Sequence, residues 1–376
     1  MTMRKLQRII WILAVLSLPL YGCDKKPHVE PPAPPNPYVD PDPDPDPDPD
    51  PDPDPDPSTH SGPWDVNRGK VVRPTSGKDG WTSSTVREGI VYYAFSGTET
   101  ISSQPQKIFV VDLDLSNPTY EVKLTRYATG IFTSTVHAEN NAIATINAGY
   151  EQGSIYIRSG GTNYSIIPNT VIGTTEQDNW KSEGAFYIDN TGKPGIVFVG
   201  SPKRDGRFCS GIQGGTYANA VAIQRQYYNN MKRATYPFLL SSAPLMIDDF
   251  EPLGETFCDY TIPIDKAEAL NSENLEHHQR VRHPRTAVAI TEDNHLILFV
   301  VDGRRTNRKG MSCKELTDFL IKWFNPQYAI NLDGGGSTAM CVEGLGNEKN
   351  VVNSPIDGGV SGQERARDTQ IIIVEK

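Results

Sequence analysis

From Asp40 to Pro57 the chain alternates Asp and Pro without a break, and no other stretch limits its folding so sharply. Proline fixes φ near the polyproline II value and has no backbone N–H, while the aspartates repel one another, so the tract can join neither a sheet nor a core. It reads as an extended strut of about 3 Å per residue, on the order of 55 Å long. Such a strut cannot converge its carboxylates into the shell of oxygens that Ca²⁺ takes. Apolar residues are almost absent from Lys25 to Ser58, which confines compact folding to about Ser61–Lys376. That length suits one large domain or two intimately joined lobes, and residues 61–130 form a candidate N-terminal β subregion.

The tract also accounts for the charge. The whole chain carries a net charge of -10, and Asp40 to Asp56 supply nine negative charges, leaving about -1 for the rest. No basic field points to nucleic acid, and no Lys/Arg-rich amphipathic helix points to direct membrane binding.

At the other side of the strut, Arg4, Lys5 and Arg8 precede an apolar run from Ile9 to Leu20 that leads into Gly22-Cys23. The run is short for a membrane span, and a small residue before Cys suits cleavage at that bond with lipid on the new terminal Cys23. This resembles the bacterial lipoprotein signal. The expectation is a signal peptide over 1–22, a lipidated Cys23 with its linker over 23–60, and one domain over 61–376. The chain then sits in the cell envelope, extracytoplasmic, at the outer membrane or a periplasmic face, touching the membrane through the anchor only. Cys209, Cys258, Cys313 and Cys341 remain, without metal-ligand spacing; one or two disulfides or buried thiols are equally compatible with them.

The folded region reads as α+β, a mixed β-sheet core with few helices. Gly89–Tyr93, Lys107–Leu113, Tyr120–Leu124 and Ala144–Ile146 are β-rich runs. Ala185–Ile188 and Ile196–Val199 flank a turn sequence, as do Thr286–Ile290 and His295–Val301. Ser312 followed by Glu315 predicts a capping box, with Met311 and Leu316 as a hydrophobic staple. Leu316, Phe319, Leu320 and Trp323 follow at helical spacing until Asn325-Pro326 stops the helix. With strand Tyr328–Leu332 this predicts a β-helix-β unit near the C-terminus, right-handed if its strands pair in parallel. Both strands then deliver an acid to one edge, Asp302 in Asp302-Gly303-Arg304 and Asp333 in Asn331-Leu332-Asp333-Gly334-Gly335-Gly336-Ser337. The three glycines can present backbone N–H groups to an anion, and Ser337 and Thr338 add hydroxyls. On spacing alone, a tight turn serving backbone shape is an equal reading.

These pieces occur in a recognisable order. Arg285-Thr286-Ala287, Val301-Asp302-Gly303-Arg304, the capped helix, the Asp333 turn, Val352-Asn353, Pro355, Asp357-Gly358 and Glu364-Arg365 together resemble the phosphodiester glycosidase family, and Asn147-Ala148-Gly149-Tyr150 is similar to its Asn-Gly-Gly-aromatic element. The resemblance spans roughly Val86 to Val374. Departures are Ala148 and Ala289 where glycine is usual, and no Pro after Glu364-Arg365. Gly200–Val281, with Arg204, Arg207, Tyr227, Tyr228 and His277-His278, aligns poorly, and the substrate is not carried over.

The resemblance implies hydrolysis of the bond between a sugar's anomeric carbon and a phosphodiester oxygen, with a sugar-phosphate glycan as substrate. That chemistry asks for a carboxylate near C1 and for positive charge at the leaving phosphate. Asp333 is the preferred base or nucleophile, with Asp302, Glu151 or Glu364 as the second acid. Arg285, Arg365 and Arg304 are the expected phosphate ligands, and Asn147, Asn331, Gly334, Gly335, Gly336, Ser337, Thr338 and Asn353 complete the binding set. Simpler roles stand beside these: Asp302 capping its own turn, Asn147 bonding local backbone, Glu364 pairing with Arg365, and His277-His278 as polar loop residues. The sequence names no certain cofactor and leaves a divalent cation, Ca²⁺ or Mg²⁺, open. A non-catalytic glycan-binding or envelope-assembly lipoprotein, and a metal-dependent phosphodiesterase cleaving P–O, are the alternatives.

Overall fold

A computed structural model describes residues 63–165, 181, 183–198, 235–254, 258, 260–272 and 274–376. The expected signal peptide over 1–22, Cys23, the Asp-Pro tract, Cys209, Arg204, Arg207, Tyr227 and Tyr228 lie outside these.

Three sheets are built from seventeen strands among the described residues, and their ladders are antiparallel. The largest holds β1 (Trp81–Arg87), β2 (Ile90–Glu99), β3 (Gln104–Asp114), β11 (Leu245–Asp248), β12 (Glu251–Pro252), β13 (Arg285–Ile290), β14 (His295–Val301) and β15 (Tyr328–Asn331). Its order is β1-β2-β3-β14-β13-β15-β11-β12. A second sheet orders β16 (Met340–Val342), β5 (Ala144–Asn147), β17 (Arg367–Glu375) and β4 (Tyr120–Ile131). The third orders β7 (Thr162–Ser165), β6 (Ile157–Ser159), β10 (Phe238–Ser242), β8 (Gly184–Ile188) and β9 (Pro194–Phe198). Helices are few: α1 (Thr133–Glu139), α2 (Ile264–Glu268), α3 (Leu275–Arg280) and α4 (Cys313–Trp323). An α+β fold with few helices is therefore what the chain adopts. Both expected hairpins form, β8 with β9 and β13 with β14. Strands β1 to β3 do not make a sheet of their own, because β3 pairs with β14 along seven positions from His295 to Val301.

The β-helix-β expectation needs correction. Strands β14 and β15 are not neighbours; β13 lies between them and is antiparallel to each. The hairpin that makes β13 and β14 partners leaves only the far edge of β13 open to β15. Two strands antiparallel to one middle strand share a direction, so β14 and β15 still end at one edge of the sheet.

The central sheet is covered on both faces, which is why β13 and β14 are apolar at nearly every position rather than alternating. On one face Val288, Leu296, Leu298, Val300 and Ile330 share a core with Val122, Leu124, Ile146, Ile371 and Ile373 of the four-stranded sheet. On the other, Ala287, Ile297, Phe299 and Ala329 meet α4 through Leu316, Phe319 and Leu320. The capping box forms as expected: Glu315 N donates to Ser312 Oγ (3.1 Å) and Ser312 N donates to Glu315 Oε2 (3.0 Å). Met311 and Leu316 sit in the same cluster. Trp81 locks the amino-terminal strand onto this helix, with its ring 5.9 Å from Phe319 and 5.5 Å from Trp323.

No disulfide joins Cys258, Cys313 and Cys341 to one another, and each is buried. Phe319→Ala should destabilise the domain by about 3–5 kcal/mol through lost burial and a cavity, and Ser312→Ala by about 1 kcal/mol. Denaturant midpoints test this; a Phe319→Ala midpoint equal to wild type would remove the aromatic face as the anchor of α4.

Candidate active site

Arg285 opens β13 opposite Val301 at the end of β14, and Ala287 faces Asn331 at the end of β15. The segments after Val301 and Asn331 therefore emerge together beside Arg285. The end of β5, at Asn147, comes to the same place from the four-stranded sheet and is tied in by backbone: Asp333 N donates to Ala148 O (2.9 Å). The Asn147 carboxamide, fully buried, completes the junction. Its Nδ2 donates to Asp333 O (2.7 Å), and its Oδ1 accepts from Thr286 Oγ1 (2.8 Å) and Ala339 N (3.1 Å). Asn147 thus holds the turn in place rather than facing a ligand.

The glycine turn divides its labour. Gly335 N donates to Pro284 O (2.8 Å), so that amide is not available to an anion. A Cβ on Gly334 would lie 2.6 Å from the same carbonyl, and Gly335 has φ +61°, so neither position accepts a side chain without strain. The N–H groups of Gly334 and Gly336 carry no hydrogen bond among the described residues and border an open pocket. Ser337 and Thr338 turn inward instead: Ser337 Oγ accepts from Arg367 Nε (2.6 Å), and Thr338 Oγ1 lies 3.4 Å from Thr286 Oγ1. Both are buried, which removes them from the expected ligand contacts.

Four arginines surround that pocket. Arg285 is 1% exposed; its Nε donates to Met311 O (2.8 Å) and its Nη2 to His278 O (2.6 Å) and Val281 O (2.8 Å). Only Nη1 lacks an acceptor among the described residues. Arg365 is held by Asp357, with Nη2 2.6 Å from Oδ1. Arg304 is the outlier, with φ +61° and neither hydrogen bond nor ion pair among the described residues. Partial burial, with the like charges of Arg365 and Arg285, lowers its pKa against the pull of Asp333 and Asp357. An unneutralised guanidinium between two others is an anion site by charge alone.

Carboxylates face it. Burial pushes Asp333 up to about 6, against the opposing pull of Arg367; Glu151 pushes the same way as burial, while Ser337 and Lys181 oppose it. Arg367 Nε lies 2.6 Å from Asp333 Oδ2 but directs its N–H to Ser337, leaving that buried oxygen without a hydrogen-bond donor. Glu151 is at the rim, 55% exposed, 2.9 Å from Arg367 Nη1. Its partial burial, which raises its pKa, is outweighed by Arg367, by its own backbone and by Lys181, so it stays ionised. Neutral polar rings complete the wall. Burial, Arg285 and Arg304 hold His283 down to about 2, and burial with Arg285 and Lys181 holds His278 well below its ordinary value. His278 Nε2 is 2.8 Å from Tyr150 Oη.

Several expected site residues are engaged elsewhere. Asp302, 1% exposed, accepts from Arg308 Nη1 (2.7 Å), Asn353 Nδ2 (3.1 Å) and Ser354 N (3.0 Å). It clamps the 353–354 segment and does not line the pocket. Asn353 also accepts from Met340 N (2.9 Å), so it too is a strut between segments. Glu364 does not pair with Arg365: its carboxylate takes Ser134 N (2.9 Å) and Ser134 Oγ (2.5 Å) at the N-terminus of α1, where no N-cap side chain does so. Asn331 Nδ2 donates to Tyr150 Oη (3.0 Å), Ala243 O (3.1 Å) and Leu332 O (2.9 Å), a further internal brace. The pocket therefore keeps Asp333, Glu151, Arg285, Arg304, Arg365 and the three glycines from the sequence expectation.

It also contains residues left out of the expected site set, Arg367, Tyr150, His283 and His278; the last, read from sequence as a polar loop residue with His277, lies on helix α3 instead. Arg367 had a signal, since it stands two residues after Arg365 at the start of an apolar run, and period-two alternation points such residues the same way. The histidines had none, because α3 and the loop after it reach the pocket only through tertiary packing.

Residues 140–374 match the family model described as phosphodiester glycosidase. No curated protein matches the chain. Among solved structures, it is similar to the zebrafish N-acetylglucosamine-1-phosphodiester alpha-N-acetylglucosaminidase catalytic domain, auto-inhibited by its pro-peptide, at 17% identity and TM-score 0.48, covering 82% of this chain and 87% of that one. A hypothetical protein from Synechocystis is similar at 14% identity and TM-score 0.45, covering 79% and 64%.

The raised pKa of Asp333 makes a stability prediction with a definite sign. Folding favours its protonated form, so this stabilisation is complete below the ordinary value of 3.8 and is lost as pH rises through about 6. Between pH 4 and 7 the wild type should lose on the order of 2 kcal/mol relative to Asp333→Asn. Parallel stability curves for the two proteins would contradict the assignment.

Proposed function

Because the chain belongs to the phosphodiester glycosidase family, we propose that it hydrolyses the glycosidic bond of a sugar-1-phosphodiester, such as an N-acetylhexosamine-1-phosphodiester, in cell-envelope or extracellular glycans. The observation that carries this reading is the polarity of one pocket: the unneutralised Arg304 and the Gly334 and Gly336 amides lie beside a buried carboxylate, Asp333, lacking a donor on Oδ2. A sugar-1-phosphodiester has that polarity. Its phosphate is anionic, and positive charge develops at C1 as the bond breaks.

The phosphate is a good leaving group and needs charge neutralisation more than a proton. Arg304, with Arg285 Nη1 and the turn amides, supplies that, and removing the anion's hydration strengthens each contact. Asp333 stands on the sugar side as nucleophile or base, stabilising the oxocarbenium character of the transition state. Glu151, at the solvent rim, is placed to order water. Among the described residues no three His, Cys, Asp or Glu side chains converge as a metal cage does, and no step is routed through a cation.

Hydrolysis in ¹⁸O-water of a synthetic hexosamine-1-phosphodiester should put label in the sugar; label in the phosphate would move the cut to P–O, and binding without product would make this a glycan-binding module. Asp333→Asn should lower turnover by about 10³-fold or more with the fold intact. Arg304→Gln should lower kcat/KM about tenfold or more, with kcat falling as well as KM rising, because the charge it offsets grows as the bond breaks. Since Asp333 must be ionised to act, kcat/KM should fall about tenfold per pH unit below about 6. An Asp333→Asn protein with near-wild-type turnover would overturn the assignment.

For location, we propose a lipid anchor at Cys23 with the Asp-Pro tract as standoff, supported by the charge, length and Cys placement of the leader. No helix among the described residues is long and apolar enough to cross a membrane. Cys23→Ser should move the protein from the detergent phase to the aqueous phase; unchanged partitioning would rule the anchor out.

A further inference from the structure

Arg367 is a buried cation that the reaction as proposed does not use directly. It enters the pocket from β17, the strand paired with both β5 and β4. Its Nε donates to Ser337 Oγ (2.6 Å) and lies 2.6 Å from Asp333 Oδ2, while its Nη1 is 2.9 Å from Glu151 Oε1. One planar fork therefore spans two carboxylates carried by different segments, one in the turn after β15 and one in the loop after β5. A lysine ammonium is a single point and cannot hold both in that geometry. Without a cation there, the buried Asp333 would face a second negative charge at the rim and would take up a proton.

We propose that Arg367 is a positioning residue for the reaction: by bridging Asp333 and Glu151 it keeps both carboxylates apart, oriented and ionised at the pocket. This rests on Asp333 being the working carboxylate. The other groups facing Asp333 do not replace it. Lys181 is buried over the Tyr150 ring, 4.9 Å from its centroid. Arg304 stands across the pocket and, in the proposed reaction, is turned to the phosphate. Arg285 is spent on three backbone carbonyls, and His278 and His283 are neutral. Arg367 is the cation in contact with the carboxylate and is its largest stabilising charge. Its own pKa is raised, because the attraction of Asp333 and Glu151 outweighs the burial that would lower it.

The decisive measurement is direct titration of Asp333 by carboxyl ¹³C NMR in wild type, Arg367→Met, Arg367→Lys and Glu151→Gln, with pH–rate profiles of the same proteins. Arg367→Met should raise the Asp333 midpoint by a unit or more, Arg367→Lys should raise it less, and Glu151→Gln should lower it. The acid limb of kcat/KM should follow in each case, so that Arg367→Met loses tenfold or more at pH 6 and recovers part of that loss at pH 8, with KM changed little. If Arg367→Met does not fold, Arg367→Lys and the exposed Glu151→Gln still give opposite shifts. An Asp333 midpoint unmoved in the folded Arg367 variants, or an activity loss independent of pH, would overturn the proposal. Midpoints that shift as stated in a protein showing no hydrolysis would leave the positioning role standing and sink the proposed reaction instead, so the two fail separately.

Discussion

The buried carboxamide of Asn147 is the constraint on which the site depends. It saturates three polar partners from three places in the chain, the carbonyl of Asp333, the hydroxyl of Thr286 and the amide of Ala339. Buried polar groups left unpaired are costly, so each partner holds the other two in place. The consequence is geometric: the end of β5 cannot shift relative to the turn after β15 without stranding a donor or acceptor. Asp333 and the three glycines inherit their position from that lock. An apolar residue of similar size would fill the space, take its bond from the Asp333 carbonyl and the Ala339 amide, and leave Thr286 only the longer contact with Thr338.

The electrostatics of the pocket follow from which of its charges a neighbour holds. Among the described residues Arg304 has no ion-pair partner, and the buried Oδ2 of Asp333 accepts no hydrogen bond. Arg365 leans on Asp357, Arg285 on carbonyls, Arg367 on two acids. The groups left with bonding capacity toward the pocket are the Arg304 guanidinium and one carboxylate edge of Asp333. That imbalance defines an orientation for a ligand with an anionic end and an electron-poor carbon. A pocket with every ion paired would have no such preference.

The elements that were legible in the sequence are those whose information is local. The capping box at Ser312 and Glu315 and the hairpin joining β13 and β14 are written within a few residues, and they form. The acid-bearing turn was also legible, since Asp followed by three glycines has few backbone uses. Order within the sheet was not, because nothing near Tyr328 indicates that β13 rather than β14 is its partner. The same limit governed the side chains. Asp302, Asn353 and Glu364 are polar residues at strand and loop ends, and sequence spacing cannot separate a group facing a ligand from one bracing a neighbouring loop. Only the positions of Arg308, Ser354 and Ser134 make that distinction.

Strand β17 is the last strand in sequence order, yet it lies between β5 and β4 and supplies Arg367 to the pocket. Its pairing with β4 joins residues some 250 positions apart, such as Glu375 with Tyr120, the kind of contact that forms slowly. Until it inserts, both of its neighbours are open edges, and Asp333 and Glu151 share the site without their common cation. Assembly of the pocket is therefore tied to the insertion of β17 between β5 and β4. A partly folded molecule can bury most of the central sheet and still lack an assembled pocket, because the cation that joins its two carboxylates arrives with β17.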